Sequence, residues 1–263
     1  MSQPLRVTLR EGGMAIGLAA CVLRTAEIVA VTRSCGFDWL LIDTEHSAIA
    51  LADVAALSIA ARAAGLPALV RVGGPDAPDL ARVLDCGAEG IVVPHVESAA
   101  QAHHVVERCR FAPWGKRSVP GPLAGFGFRM PPVREMTEAA ERETTVVTMI
   151  ESAAGTSEAA AIAAMPGVDA LMVGANDLAA DLGLPGELEH PEVLAAFREV
   201  AAAARAHDKV FGVIGLPEAL LRSHGTELGA RLIVATNDIN LLVEGGVALR
   251  ERCRGIAGVD SIT

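Results

Sequence analysis

The chain has 263 residues, 22 Lys and Arg against 32 Asp and Glu, a formal net charge of -10, and 51% hydrophobic against 21% charged residues. This composition excludes a disordered or collagenous chain, and the acidic balance argues against a protein that coats nucleic acid or an anionic membrane. The length suits one α/β domain spanning residues 1–263.

The first residues, MSQPLRVTLREGG, lack the apolar core of a signal peptide, and no apolar run reaches the ~18 residues of a membrane span, so a cytoplasmic protein is expected. Short β-branched runs then alternate with Ala-rich helical stretches along the chain. The predicted strands are 15–20, 37–43, 68–72, 90–96, 146–151, 170–175, 210–215 and 232–236. Eight strands separated by helices predict a (β/α)8 barrel, whose usual size of ~250 residues matches the chain. Helix punctuation agrees: Thr25 and Gly36 bracket one helix, Gly65 ends another, and Pro191 opens a third. Five cysteines without metal-type spacing read as buried free thiols.

Two segments depart from the rhythm. Residues 111–142, between the fourth and fifth strands, form a long Gly- and Pro-rich connection holding Phe111, Trp114, Phe126 and Phe128. Such a loop is either a cover for an active site or a surface excursion against a neighbouring subunit. Residues 239–258 predict a final helix whose Leu241, Leu242, Val243, Val247 and Leu249 either close the barrel or face another subunit.

Chemistry in this architecture sits where strands end. Strand two runs into Asp43-Thr44-Glu45-His46, strand three ends at Arg71, strand four carries His95, strand five ends at Glu151, and strand six leads to Asp177. Glu151 and Asp177 terminate consecutive strands, so their carboxylates can converge on one Mg2+ or Mn2+, with the remaining positions open to water and substrate. Arg71 suits recognition of a carboxylate or enolate oxygen; a structural ion pair with Asp43 or Glu45 is the rival reading. His46 is a candidate general base. Gly174-Ala175-Asn176 turns a strand into a short helix whose N–H groups can hold a substrate carboxylate.

The runs GFDWLLIDTEH (36–46), LVRV (69–72), LDCGAEGIVVPHVESAAQA (84–102), MIES (149–152), PGVDALMVGANDLAADLG (166–183) and HPEV (190–193) resemble, in order and spacing, the HpcH/HpaI family of metal-dependent pyruvate aldolases, grouped with citrate lyase β-subunits. The resemblance implies metal carboxylates at Glu151 and Asp177, a substrate arginine at Arg71, and a catalytic His46 partnered by Asp85. It also implies a homo-oligomer, a trimer or a hexamer that exchanges the last helix. Two departures stand out: Met149 occupies a position where aldolases of the family carry Gln, and an Arg- and Gly-rich loop after strand four is replaced by APWGKRSVPGPLAGFGF.

The expected reaction is cleavage of a 4-hydroxy-2-oxo acid to pyruvate, or a close 2-oxo acid, and an aldehyde through an enolate, with Mg2+, Mn2+ or another divalent ion such as Co2+. A Schiff-base aldolase needs a lysine at a strand end, and the chain's two lysines, Lys116 and Lys209, lie in the long loop and before strand seven. The alternatives are an acyl-CoA lyase or citrate-forming synthase, for which Arg117, Arg129 and Arg134 would be CoA contacts, and a non-catalytic 2-oxo acid sensor.

Overall fold

The computed structural model describes residues 3–257. Eight parallel strands close into a barrel in sequence order: β1 (Ala15–Ala20), β2 (Trp39–Asp43), β3 (Ala68–Arg71), β4 (Gly90–Val93), β5 (Thr145–Ile150), β6 (Ala170–Gly174), β7 (Val210–Ile214) and β8 (Ala230–Asn237). The expected (β/α)8 architecture is therefore present. The fourth strand is shorter than its apolar run suggests. Pro94 offers no N–H to the ladder, and His95 takes a left-handed φ of 57° that turns the chain away.

Side-chain alternation divides the core in two. Leu40, Ile42, Val70, Val146, Ile150 and Val173 point outward and pack with the helices. Trp39, Leu41, Leu69, Val147, Met149, Ala170, Met172 and Leu232 point inward and fill the barrel. The inward rows carry a different chemistry at their C-terminal ends: Trp39-Leu41-Asp43, Leu69-Arg71, Val147-Met149-Glu151 and Ala170-Met172-Gly174 follow one period-two step each. Apolar filling below and charged groups above thus come from the same strands.

The lower barrel is stoppered. The helix Leu5–Arg10 lays Leu5 and Leu9 against the inward core, and Trp39 fills space left by Gly17, where a Cβ would lie 2.4 Å from the indole. Gly17→Ala would force the ring to move, at a typical overpacking cost of about 1–3 kcal/mol.

The long connection lies at this lower end, which rules it out as a cover over this chain's own strand-end site. The helix Ala99–Cys109 carries the chain back from the end of β4, so residues 111–132 leave from the N-terminal rim, and a further helix, Val133–Glu143, leads into β5. Arg117 from this segment stacks over the Phe111 ring at 4.7 Å and donates through Nη2 to Asp85 Oδ1 at 2.6 Å. Trp114 borders a cavity of about 560 Å³ with Arg6, Arg10 and Gly167. Arg6 and Arg110 are tied there to Asp169, and Arg110 also to Glu141.

Among its described residues, the last helix, Asp238–Ala257, is anchored at its start, where Asp238 accepts N–H bonds from Cys21, Val22 and Leu23 at 3.2, 2.9 and 2.7 Å and Leu241 packs against the outer core. It does not close the barrel: Leu242, Val243, Val247 and Leu249 are each roughly half exposed. Gly258, the end of the expected helix, lies outside the described residues. Among the cysteines, Cys109 is buried, Cys21 and Cys86 are half-buried, and Cys35 and Cys253 are exposed, so only part of the buried-thiol reading holds. No helix among the described residues is long and apolar enough to cross a membrane.

Candidate active site

The strand ends open into a cavity of about 780 Å³ that brings together His46, Arg71, Glu151, Gly174, Ala175, Asn176 and Asp177. Of the site residues expected from sequence, only Asp85 is absent from its lining. Asp85 stands just before β4 begins, at the rim away from the mouth, and its carboxylate is taken by Arg117. A His46–Asp85 pair is therefore not formed within one chain.

Arg71 and Asp43 face each other in register across β3 and β2. The guanidinium donates Nε to Oδ1 at 3.0 Å and Nη2 to Oδ2 at 2.6 Å, and Nη1 lies 3.4 Å from Glu45 Oε2. Burial opposes the charge on Arg71, but the bond and field of Asp43, with Glu45 and Glu151, outweigh it and raise the pKa above the ordinary guanidinium value. Burial likewise works against the Asp43 carboxylate, and Arg71 with the N–H groups of Glu45 and His46 holds it below the usual range. The structural ion pair is thus real, and it fixes a permanent cation at the cavity wall rather than withdrawing it.

Glu151 is the centre of a second cluster. The left-handed turn at His95 aims its N–H at Glu151 Oε2, 3.0 Å away, while its ring Nε2 lies 2.8 Å from Glu45 Oε1 and Nδ1 lies 3.5 Å from Glu151 Oε2. Burial pushes the Glu151 carboxyl up; His95 pulls it down, and Glu45 and Asp177 push it up again. Gly174, the next residue on β6, gives the carboxylate its space: a Cβ there would lie 2.3 Å from Glu151 Oε1. Glu45 and His95 also join the site; the sequence offered Glu45 as an ion partner for Arg71, which it is, and His95 as a strand-end residue without a role. The signal in sequence is their place after an apolar run; what their side chains hold is set by how the strand ends meet in the fold.

A cation fits this cluster. Glu45 Oε2 is buried and accepts no hydrogen bond, with Arg71 Nη1 3.4 Å and His46 Nε2 3.7 Å away, and the repulsion on Glu151 from Glu45 and Asp177 is what a bound positive ion would relieve. Among the described residues no group of three or more His, Cys, Asp or Glu side chains is placed to hold a metal ion, so the protein would supply two ligands at most. An open site with two carboxylates and several waters is how Mg2+ is usually held.

Other polar groups are accounted for. Burial, with Asp43 and Asp238, pushes the Cys21 thiol up to about 12, so it is neutral and no nucleophile. Lys209 donates Nζ to Val168 O at 2.9 Å and Lys116 pairs with Glu107, so neither lysine reaches the cavity. Arg117, Arg129 and Arg134 also lie outside its lining, which removes the expected CoA contacts from the mouth of this chain.

A barrel with an arginine and carboxylates gathered at its C-terminal mouth has the strand-end site of the (β/α)8 class of enzymes. The HpcH/HpaI aldolase/citrate lyase family model matches residues 21–227. The 4-hydroxy-4-methyl-2-oxoglutarate aldolase of Hapsidospora irregularis is 40% identical over 84% of this chain and 83% of its own length. The hydroxypyruvate/pyruvate aldolase of Paraburkholderia phytofirmans is 36% identical over 90% and 92%. The crystal structure of an HpcH/HpaI aldolase from Desulfitobacterium hafniense superposes with a TM-score of 0.91 at 27% identity, covering 99% of this chain and all of that one. The chain belongs to the HpcH/HpaI aldolase/citrate lyase family, and it is a carbon–carbon lyase.

Proposed function

We propose that the protein reversibly cleaves a 4-hydroxy-2-oxo acid to pyruvate, or a close 2-oxo acid, and an aldehyde. The observation that carries this reading is Arg71, locked by Asp43 into the cavity wall beside Glu151, where it can hold a keto oxygen as that oxygen becomes an enolate. Glu151 and Asp177 would hold a divalent metal, Mg2+ or Mn2+ with Co2+ as a further candidate, which supplies Lewis-acid polarisation of the 2-oxo group. Asn176 and the N–H groups at Gly174 and Ala175 bind the substrate carboxylate. His46, whose side chain is 61% exposed at the mouth, takes the C4-hydroxyl proton in cleavage and returns it in condensation.

Asp85 enters this reading as the group that orients His46 across a subunit contact. The half-exposed apolar side chains of the last helix support a homo-oligomer, a trimer or hexamer in which that helix packs on a neighbour.

The test follows pyruvate release from 4-hydroxy-2-oxopentanoate by the purified protein. Turnover lost with EDTA and restored by Mg2+ or Mn2+, without a borohydride-trapped adduct, supports the reading. Turnover that survives EDTA together with a stable adduct would overturn it.

A further inference from the structure

The cavity is electrically one-sided. Arg71 is the one Lys or Arg side chain among the described residues that line it, and two of its nitrogens are already committed to Asp43. Against it stand the buried Glu151 and the exposed Asp177, Glu218 and Glu244. The lining that follows β7 is mainly apolar, with Ile214, Leu216, Pro217 and Leu221 partly exposed toward the space that the 2-oxo acid end leaves free; Thr236, Asn237 and Asn240 on the β8 side add uncharged polar groups.

We infer that the aldehyde half of the substrate is neutral and apolar, and that an aldehyde carrying its own carboxylate is rejected. The inference rests on the aldolase reading and narrows it. Arg71 and a cation on Glu151 and Asp177 serve the pyruvate half. A second carboxylate would then lie against these aliphatic side chains, losing water with no second Lys or Arg in this chain's lining to pair with it, and would meet Glu218 or Glu244 on its way in. An alkyl chain meets the same wall with a gain for every methylene buried. In the condensation, pyruvate loses a proton from its methyl carbon, that carbon bonds to the aldehyde carbon, and the aldehyde oxygen gains a proton. No atom is lost and nothing is oxidised. By the same argument 4-hydroxy-4-methyl-2-oxoglutarate, the dicarboxylate for which the Hapsidospora relative is named, is a poor substrate here.

The experiment compares two acceptors of equal size, 4-methylpentanal and 4-oxobutanoate, each condensed with pyruvate by the intact protein in the presence of Mg2+ or Mn2+. The expected kcat/KM favours 4-methylpentanal at least tenfold, and Leu216→Arg, which places a cation on the apolar wall, is expected to raise the rate with 4-oxobutanoate. Equal or faster turnover of 4-oxobutanoate by the unaltered protein overturns the inference and leaves the aldolase reading standing. No product from either aldehyde, with the fold intact by circular dichroism, removes both.

Discussion

Arg71 and Asp43 are neighbours in register at the ends of β3 and β2, joined by two parallel N–H to oxygen bonds of 3.0 and 2.6 Å, with Asp43 fully buried. This fork ties the residue proposed to hold the substrate to the packing of the strand ends. Asp43→Asn keeps the shape and removes the charge that holds the guanidinium. The expected result is a lower Tm, from a loss of about 3 kcal/mol as for other broken buried pairs, together with a fall in kcat/KM. Arg71→Ala should likewise lose stability as well as activity, because it strands a buried carboxylate. Thermal melts and initial rates check both variants; an unchanged Tm in either would show that the fork is not holding the strand ends.

Glu151 predicts the reverse combination. Its carboxylate is buried and pressed by Glu45 and Asp177, so Glu151→Gln removes an electrostatic burden while keeping the volume. Activity is expected to disappear, while Tm measured without added metal stays equal or rises. A variant that keeps wild-type turnover would remove Glu151 from the site.

The smallest informative substitution is Gly174→Ala. The backbone there, at φ -89°, accepts alanine without strain, so any effect comes from the methyl group displacing Glu151 Oε1. Displacing a catalytic group by about 1 Å can cost roughly 100-fold in rate, and a loss of that order is expected here with weaker activation by Mg2+. Metal titrations of initial rate would reveal it, and a titration identical to the parent's would mean that Glu151 does not depend on this space.

Stability should also depend on pH at a site remote from the mouth. Burial, reinforced by Glu143 and opposed by Arg62, pushes the Glu89 carboxyl from its ordinary 4.5 up to about 7. The folded protein therefore holds this proton more tightly than the unfolded chain. That contribution is fully present below about pH 4.5, declines as pH rises to about 7, and reaches up to roughly 3 kcal/mol of lost stability above it. Glu89→Gln is expected to be more stable than the parent at pH 8 and to show a flatter Tm between pH 5 and 8. Parallel pH profiles for the two proteins would exclude Glu89 as the source.

Much of this was legible in sequence because strand periodicity is a local signal. The alternation Trp39-Leu41-Asp43 and Val147-Met149-Glu151 tells which side chains meet inside a barrel before any helix is placed. What stayed hidden depends on position across the fold. The length and Gly-Pro content of residues 111–132 mark an excursion but not its end of the barrel, which the preceding helix Ala99–Cys109 decides. Arg71 allowed two readings, substrate ligand or ion-pair partner, and the registered Asp43 allows both at once. The apolar run of β4 continued to Val96 on paper, yet Pro94 and the left-handed His95 end it early and turn the chain so that a backbone N–H reaches Glu151.

Among the described residues, the stopper formed by Trp39, Leu5 and Leu9 closes the lower end of the barrel and leaves the strand-end mouth as its doorway. Whatever enters deepest must leave last, since nothing can pass beneath it. If the 2-oxo acid sits on Arg71 with the aldehyde above it, as proposed, traffic through the mouth is expected to be ordered: pyruvate arrives before its partner in condensation and departs after it in cleavage. Inhibition patterns should carry that order, with pyruvate competing directly against the cleavage substrate and the aldehyde failing to do so.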